Sequence, residues 1–213
     1  MGDKERIASR VAQELRSGDI VNLGIGIPTL VVDYLAEDVN VFIHSENGIL
    51  GVGPTPSADE VDPDLVNAGK LPVTVLTGAA YFDSASSFAM IRGGHVDVSI
   101  LGALQVNRRG QIANWAVPGS LVLGVGGAMD LLEGTKRVIV ATTHCTKEGA
   151  PKLVAEATYP LTSLRRADLI VTELAIFEVD DDGLTLIEVA PDITLEELQK
   201  KTDAPFQIRG ELW

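Results

Sequence analysis

Short β-branched runs that end in glycine loops and give way to helical patterns constrain this chain more than any other feature. Residues 20–23 read as a strand and run straight into Gly24-Ile25-Gly26-Ile27. Pro28 then suits the first turn of a helix reaching about Leu35, because its missing N–H falls where a helix has no partner for one. Ahead of this unit, residues 3–17 place Ile7, Val11, Ala12 and Leu15 on one helical face, and Ser17-Gly18-Asp19 stops the helix. Residues 39–43 form a second strand, apolar except for Asn40, that ends at His44-Ser45-Glu46-Asn47-Gly48. Strands that alternate with helices in this way build a parallel sheet.

The rest of the chain adds to that sheet. Residues 51–72 are rich in Gly, Pro and Asp and read as a long ordered loop or lid, a kind of segment that usually carries function. Residues 73–76, 96–101, 137–142 and 169–172 read as strands. Residues 84–92 read as a helix closed by Gly93-Gly94, and Gly124-Val125-Gly126-Gly127 opens another over 128–133. Asn107-Arg108-Arg109-Gly110 suits a hairpin turn, and residues 177–179 and 184–189 flank a clearer one at Asp180-Asp181-Asp182-Gly183. Thr194 with Glu197 three residues on forms a capping box for a last helix. The expected class is α/β: an open mixed, largely parallel sheet flanked by helices, in one domain spanning 1–213. At 213 residues and 46% hydrophobic composition, the chain is long enough to bury a real core.

Charge removes several function classes. Seventeen Lys and Arg stand against 30 Asp and Glu, a formal net charge of −13. Nucleic-acid binding needs clustered positive charge, and so does a polybasic membrane anchor. The most apolar stretch, residues 121–132, is short, glycine-rich and interrupted by Asp130, so it cannot span a bilayer. The N-terminal residues alternate charges without an apolar core for a signal peptide, and Arg6 breaks the myristoylation pattern. The one cysteine, Cys145, fits a reducing compartment. A cytoplasmic protein is expected.

Neither glycine loop meets the dinucleotide fingerprint, because Thr29 and Met129 stand where glycine or alanine is required. Each loop still offers positive φ and close backbone approach, so each suits either a tight turn or an anion contact. Glu46 lies at the end of an apolar strand, where open α/β sheets place their sites. It reads either as a rim carboxylate bonded to its loop or as a nucleophile facing N–H donors. His44, two residues earlier, would share its face and either orient it or simply pack. His44, His95 and His144 lack metal-ligand spacing. Ser45 lies outside G-x-S-x-G. Cys145 beside His144 reads as a buried, inert thiol, and Asp180 to Asp182 as a solvated hairpin tip.

His44-Ser45-Glu46-Asn47-Gly48-Ile49-Leu50-Gly51 resembles the S-E-N-G signature of the family I coenzyme A transferases. The chain is similar to the B (β) subunits of that family's 3-oxoacid and 3-oxoadipate branch. The likeness runs nearly end to end, through Asn22-Leu23-Gly24-Ile25-Gly26-Ile27-Pro28-Thr29, Asn67-Ala68-Gly69-Lys70 and Tyr81-Phe82-Asp83-Ser84. It continues through Met90-Ile91-Arg92-Gly93-Gly94-His95, Ala113-Asn114-Trp115 and Gly126-Gly127-Ala128-Met129-Asp130. Ile43 replaces the Leu or Phe usual before the signature, a change that touches packing. Beyond about Lys147 the match is least specific.

The resemblance implies an open fold shared with ribose-5-phosphate isomerase-like enzymes. It implies ping-pong transfer of CoA, with succinyl-CoA as donor and acetoacetate or 3-oxoadipate as acceptor. The family's nucleophilic glutamate falls on Glu46, and the glycine whose N–H lines the oxyanion site falls on Gly127. Asn22 matches an active-site asparagine, and Lys70 a lysine near bound CoA. Gly24, Gly26, Asn47 and Gly126 complete the expected binding set. No metal and no cofactor are expected, because CoA is a substrate carried as a glutamyl thioester. The expected partner is an A-type subunit, in an A2B2 heterotetramer. A hydrolase using the same acid, a sugar-phosphate isomerase and a non-catalytic binding partner are the competing readings.

Overall fold

The computed structural model describes residues 1–119 and 124–210. Leu121, Val122 and Leu123, at the head of the most apolar stretch, lie outside the described residues. The first half of the chain runs α1 (Asp3–Ala12), β1 (Ile20–Leu23), a 3-10 helix (Ile27–Tyr34), β2 (Phe42–Ser45), β3 (Ile49–Val52), β4 (Val75–Tyr81), α2 (Ser84–Arg92) and β5 (Val98–Leu101). Then follow β6 (Gln105–Asn107), β7 (Ile112–Ala113), α3 (Ala128–Gly134), β8 (Arg137–Ala141), β9 (Leu153–Val154) and β10 (Leu169–Val171). The chain closes with β11 (Ala175–Asp180), β12 (Gly183–Val189), α4 (Leu195–Lys201) and β13 (Phe206–Ile208).

Among the described residues ten strands form one sheet in the order β13-β12-β11-β10-β8-β5-β1-β2-β3-β4. The stretch β10-β8-β5-β1-β2 is parallel. Antiparallel strands flank it: β11 and β12 on one side, β3 and β4 on the other. The expected mixed, largely parallel sheet is therefore present. A small sheet, β7-β6-β9, stands apart from it.

Two cores cover the two faces of the parallel strands, and side-chain alternation assigns each residue to one of them. Ile139 and Ala141 of β8 join α1 and the 3-10 helix, whereas Val138 and Val140 join α2, α3 and α4. Strands covered on both faces carry apolar residues throughout, and β5, β8 and β10 are buried almost end to end. Helix α1 buries Ile7 and Val11 completely, each worth roughly 1.5–3 kcal/mol. Its charged side is tied down by Arg10 and Arg137, which both pair with Glu14, at 2.7 and 2.6 Å.

Several expected boundaries move, each for a tertiary reason. The first helix stops at Ala12, although Leu15 beyond it is still buried. The helix opened by Pro28 is of the 3-10 type. The strand expected over 39–43 lies instead at Phe42–Ser45, set by pairing of Ile20–Asn22 with Phe42–His44. The loop expected from 51 gives up Gly51 and Val52 to β3, a strand absent from the expectations above. The Asn47-Gly48 pair is the usual sign of such a hairpin. The strand expected over 73–76 runs from Val75 to Tyr81 because β3 supplies a template for it. The capping box at Thr194 and Glu197 forms in full.

Candidate active site

Strand β1 lies between β5 and β2, so the chain leaves it on opposite sides of the sheet. The 3-10 helix that follows β1 packs with α1, and α2, which leads into β5, packs on the other face. The crevice outside the carboxyl ends at such a switch point is where open α/β sheets bind ligands. The end of β1 is drawn tightly to β5 by the Gly24 N–H, which donates to the Ile100 carbonyl at 2.8 Å. A Cβ on Gly24 would stand 3.1 Å from that oxygen, so this glycine is required by close backbone approach.

Glu46 occupies the turn that joins β2 to β3. The Gly48 N–H donates to the Ser45 carbonyl at 2.9 Å, and Ser45 pairs with Ile49, leaving three residues in the loop. Gly48 has φ +119°, as a three-residue hairpin loop asks of its last position. A Cβ there would overlap the Phe82 carbonyl oxygen, and the Phe82 N–H donates back to the Gly48 carbonyl at 3.0 Å. The residues on either side of Glu46 hold the long loop. Ser45 Oγ accepts from the Ala68 N–H at 3.0 Å, and Asn47 Nδ2 donates to the Val66 carbonyl at 2.7 Å.

The half-buried Glu46 carboxylate meets Asn22, whose Nδ2 donates to Glu46 Oε2 at 3.1 Å. The same nitrogen lies 3.2 Å from the His44 carbonyl and 3.1 Å from His44 Nδ1. His44 Nε2 lies 3.1 Å from Ser87 Oγ on α2, and the Phe82 ring stacks on the imidazole. Asn22, His44 and Ser87 are all buried. Burial pushes the His44 pKa down to about 4, so the ring is neutral at pH 7.

Gly127 closes the other side of the acid. A Cβ on it would stand 3.5 Å from Glu46 Cγ and 3.2 Å from Phe88 Cζ. Its φ is an ordinary −80°, so a side chain here would be opposed by the Phe88 ring and not by backbone angle. Arg92 of α2 and Asp130 of α3, paired at 2.6 Å, hold together the two helices that carry Phe88 and follow Gly127. Gly126, at φ +58°, is exposed.

Of the residues expected at the site, the fold thus brings Asn22 and Gly127 each beside Glu46. Asn47 is occupied with the long loop. Lys70 is exposed on a tight turn at φ +62°, and it forms no ion pair among the described residues. That turn abuts the first glycine loop: a Cβ on Gly69 would stand 3.4 Å from Ile25 Cγ1. Gly26, at φ +94°, is exposed beside it. Ser87 is invisible to the sequence pattern, since nothing in a serine on a helix announces that it faces a buried histidine.

Other candidates fall away from this cluster. His144 bonds Thr172 Oγ1 at 3.0 Å and Thr202 Oγ1 at 2.8 Å, joining strand and helix ends. Cys145 is half-buried rather than buried, because it sits in an irregular segment after β8; burial still raises its thiol pKa. Among the described residues no group of three or more His, Cys, Asp or Glu could hold a metal ion. A cleft of about 790 Å³ between Arg108, Arg109, Arg165, Arg166 and the Asp180–Gly183 hairpin tip shares no residue with the Glu46 cluster. Its charges are largely paired, Arg166 with Asp181 at 2.5 Å and Arg108 with Glu156 at 2.6 Å. No helix of the described residues is long and apolar enough to cross a membrane.

A carboxylate at a strand end of an α/β sheet, with an amide donor on one side and a glycine on the other, has the parts that nucleophilic attack on an acyl carbon needs. The chain belongs to the coenzyme A transferase family, whose model matches residues 4–201. It is thereby an enzyme of the transferase class, moving coenzyme A between an acyl-CoA and a carboxylic acid. It is 52% identical over 212 residues to the beta subunit of the acetate CoA-transferase of Escherichia coli K12, covering 100% of this chain and 97% of that one. It is 51% identical to the B-type subunit of the 3-oxoadipate CoA-transferase of Pseudomonas putida KT2440, covering 95% of each. Among solved structures, the acyl-CoA transferase YdiF of Escherichia coli O157:H7 superposes with a TM-score of 0.78 at 24% identity. That alignment covers 99% of this chain and 42% of YdiF, and it shows the shared fold.

Proposed function

We propose that Glu46 is the nucleophile and carries coenzyme A as a glutamyl thioester between two half-reactions. The observation that carries this reading is the clasp on Glu46: the Asn22 amide bonded to Oε2 and Gly127 against Cγ. A carboxylate oxygen of Glu46 attacks the thioester carbon of the donor. The C–S bond breaks, CoA leaves as thiolate, and an acyl-glutamyl anhydride forms. The thiolate then attacks Glu46 Cδ, the anhydride C–O bond breaks, and the donor acid leaves as its carboxylate. The acceptor acid runs the same steps backward and regenerates the Glu46 carboxylate, with no net proton and no redox change. Negative charge builds on the glutamyl oxygen whenever Cδ is attacked, and Asn22 Nδ2 already donates to that group. The Gly127 N–H is assigned to the oxyanion on the acyl side. Lys70, Gly24, Gly26 and Gly126 are assigned to the CoA side, where an acidic protein needs local positive charge and open backbone.

The acceptor is a short carboxylic acid. Acetoacetate and 3-oxoadipate are the acceptors the family resemblance implies, with succinyl-CoA as donor, and the kinship with an acetate enzyme adds acetate. The partner is an A-type subunit, in an A2B2 assembly working in the cytoplasm. Apolar side chains around the site favour such a partner: Ile25 is 72% exposed, Leu71 53% and Tyr81 62%. Water must also be kept from the anhydride and thioester.

The test is trapping. The assembled enzyme is incubated with acyl-CoA and no acceptor, treated with borohydride and digested; the reduced label should lie on the peptide containing Glu46. Full transfer by Glu46→Ala would overturn the assignment. Release of CoA that continues unchanged without any acceptor acid would make the enzyme a hydrolase. Robust transfer by the lone chain, unchanged on adding the A-type partner, would remove the need for that partner.

A further inference from the structure

Three neighbouring strands place polar side chains side by side in an otherwise apolar layer. Asn22 on β1 pairs in register with His44 on β2 and with Ser99 on β5. All three are buried, and Val21, next to Asn22, faces the opposite core. The row therefore faces α2, which contributes the buried Ser87. Buried polar groups that a core does not need are expensive to keep, so such a row asks for a purpose.

The hydrogen-bond inventory fixes the roles of Asn22 and His44, while Ser99 Oγ has no partner among the described residues. Three acceptors surround Asn22 Nδ2: the His44 carbonyl, His44 Nδ1 and Glu46 Oε2. The carbonyl and the carboxylate can only accept, so the atom between them is the amide nitrogen, not its oxygen. Nδ1 must then accept as well, and the ring proton sits on Nε2, where Ser87 Oγ takes it. Asn22 Oδ1 has no partner among the described residues, so none of them holds the amide from its far side. The two amide hydrogens are thus shared among three acceptors, two of them on His44 and one on Glu46.

We propose that His44 and Ser87 are positioning residues that lock the Asn22 amide with its nitrogen toward Glu46. Ser87 Oγ holds the ring from its far side by accepting from Nε2–H, and His44 Nδ1, accepting from the amide, holds the face that Asn22 presents. With the opposite tautomer, Nδ1–H would meet the amide N–H, and the amide could relieve that clash only by turning its oxygen onto the carboxylate. The inference rests on Glu46 being the reacting group.

A double-mutant cycle in the assembled enzyme tests it. His44→Phe should lower kcat by roughly 10–100-fold, within the ~10² that about 1 Å of misplacement can cost. The KM for acyl-CoA should stay within about 3-fold, because ligand contacts are untouched. Ser87→Ala should fall the same way but less. His44→Gln, which can accept and donate in place of both ring nitrogens, should recover most of the rate. In an Asn22→Ala background His44→Phe should cost nothing more. Additive losses would overturn the proposal, as would unaltered kinetics in both His44→Phe and Ser87→Ala.

A second readout is independent of activity. Nitrogen NMR of the histidine-labelled full chain should report the Nε2–H tautomer for the resonances that His44→Gln removes. A change at Ser87→Ala should reach the Asn22 side-chain amide. An Nδ1–H tautomer would overturn the proposal even if His44→Phe fails to fold. Wild-type enzyme that forms no adduct on Glu46 would instead defeat the nucleophile assignment, and the NMR result would still decide the locking of Asn22.

Discussion

Asn22 Nδ2 stands 3.1 Å from Glu46 Oε2, reaching from one strand to the turn that ends its neighbour. In-register pairing of Asn22 with His44 sets that distance, so it belongs to the sheet and not to a mobile loop. A donor already aimed at the oxygen where charge develops needs no reorganisation during the reaction. Asn22→Ala should therefore lower kcat by about 10²–10³-fold, the range for loss of one oxyanion donor. Steady-state kinetics check this, with the KM for acyl-CoA expected to change little.

Gly127→Ala should fail by crowding. The new methyl would press on the Phe88 ring and lie against Glu46 Cγ, while φ −80° imposes no backbone strain. The expected outcome is a folded protein, with a melting temperature within a few degrees of wild type, but with reduced CoA binding and turnover. Thermal melts alongside kinetics separate the two effects. Wild-type kinetics would mean that the glycine is only a turn residue.

Gly48→Ala should damage the fold itself. Its φ of +119° is unfavourable for alanine, and the added Cβ would overlap the Phe82 carbonyl. Backbone strain and overpacking together should cost about 3 kcal/mol or more. Urea unfolding should show a lowered midpoint with an unchanged slope.

Acid should weaken the fold well above the carboxylate range. His44 and His144 are each held at about 4 against an ordinary 6.5, His44 by burial, His144 by burial and then by the charge of Lys201. Below pH 6.5 the unfolded chain takes up these protons and the folded chain does not. Stability from this source is complete above pH 6.5 and falls steadily toward pH 4, by on the order of 3 kcal/mol per histidine. Urea midpoints measured from pH 7.5 to 4.5 should show that slope, and His44→Gln should remove about half of it.

Much of the site was legible along the chain, because its signals are local. The apolar strand ahead of Glu46, the glycine loops and the S-E-N-G stretch each span only a few residues. Strand β1, helix α2 and the capping box at Thr194 fall where the pattern places them. Strand β3 did not, because four residues of mixed pattern become a strand only when a neighbour completes the ladder.

The sequence by itself determined the alternating strand-helix plan and the glycine positions, since these depend on each residue's own conformational limits and on short-range periodicity, and its likeness to the S-E-N-G signature singled out Glu46 as the candidate acid. Only the tertiary structure decided what surrounds that acid. Asn22, His44, Ser87 and Gly127 come from separate strands and helices, and no rule of spacing links 22, 46, 87 and 127. Strand register brings Asn22 beside His44, and side-chain alternation turns both toward α2. Helix packing then sets Ser87 on the imidazole and Gly127 beside Glu46 Cγ, because contacts between distant segments are selected by the burial of whole faces and not by any one segment's preference.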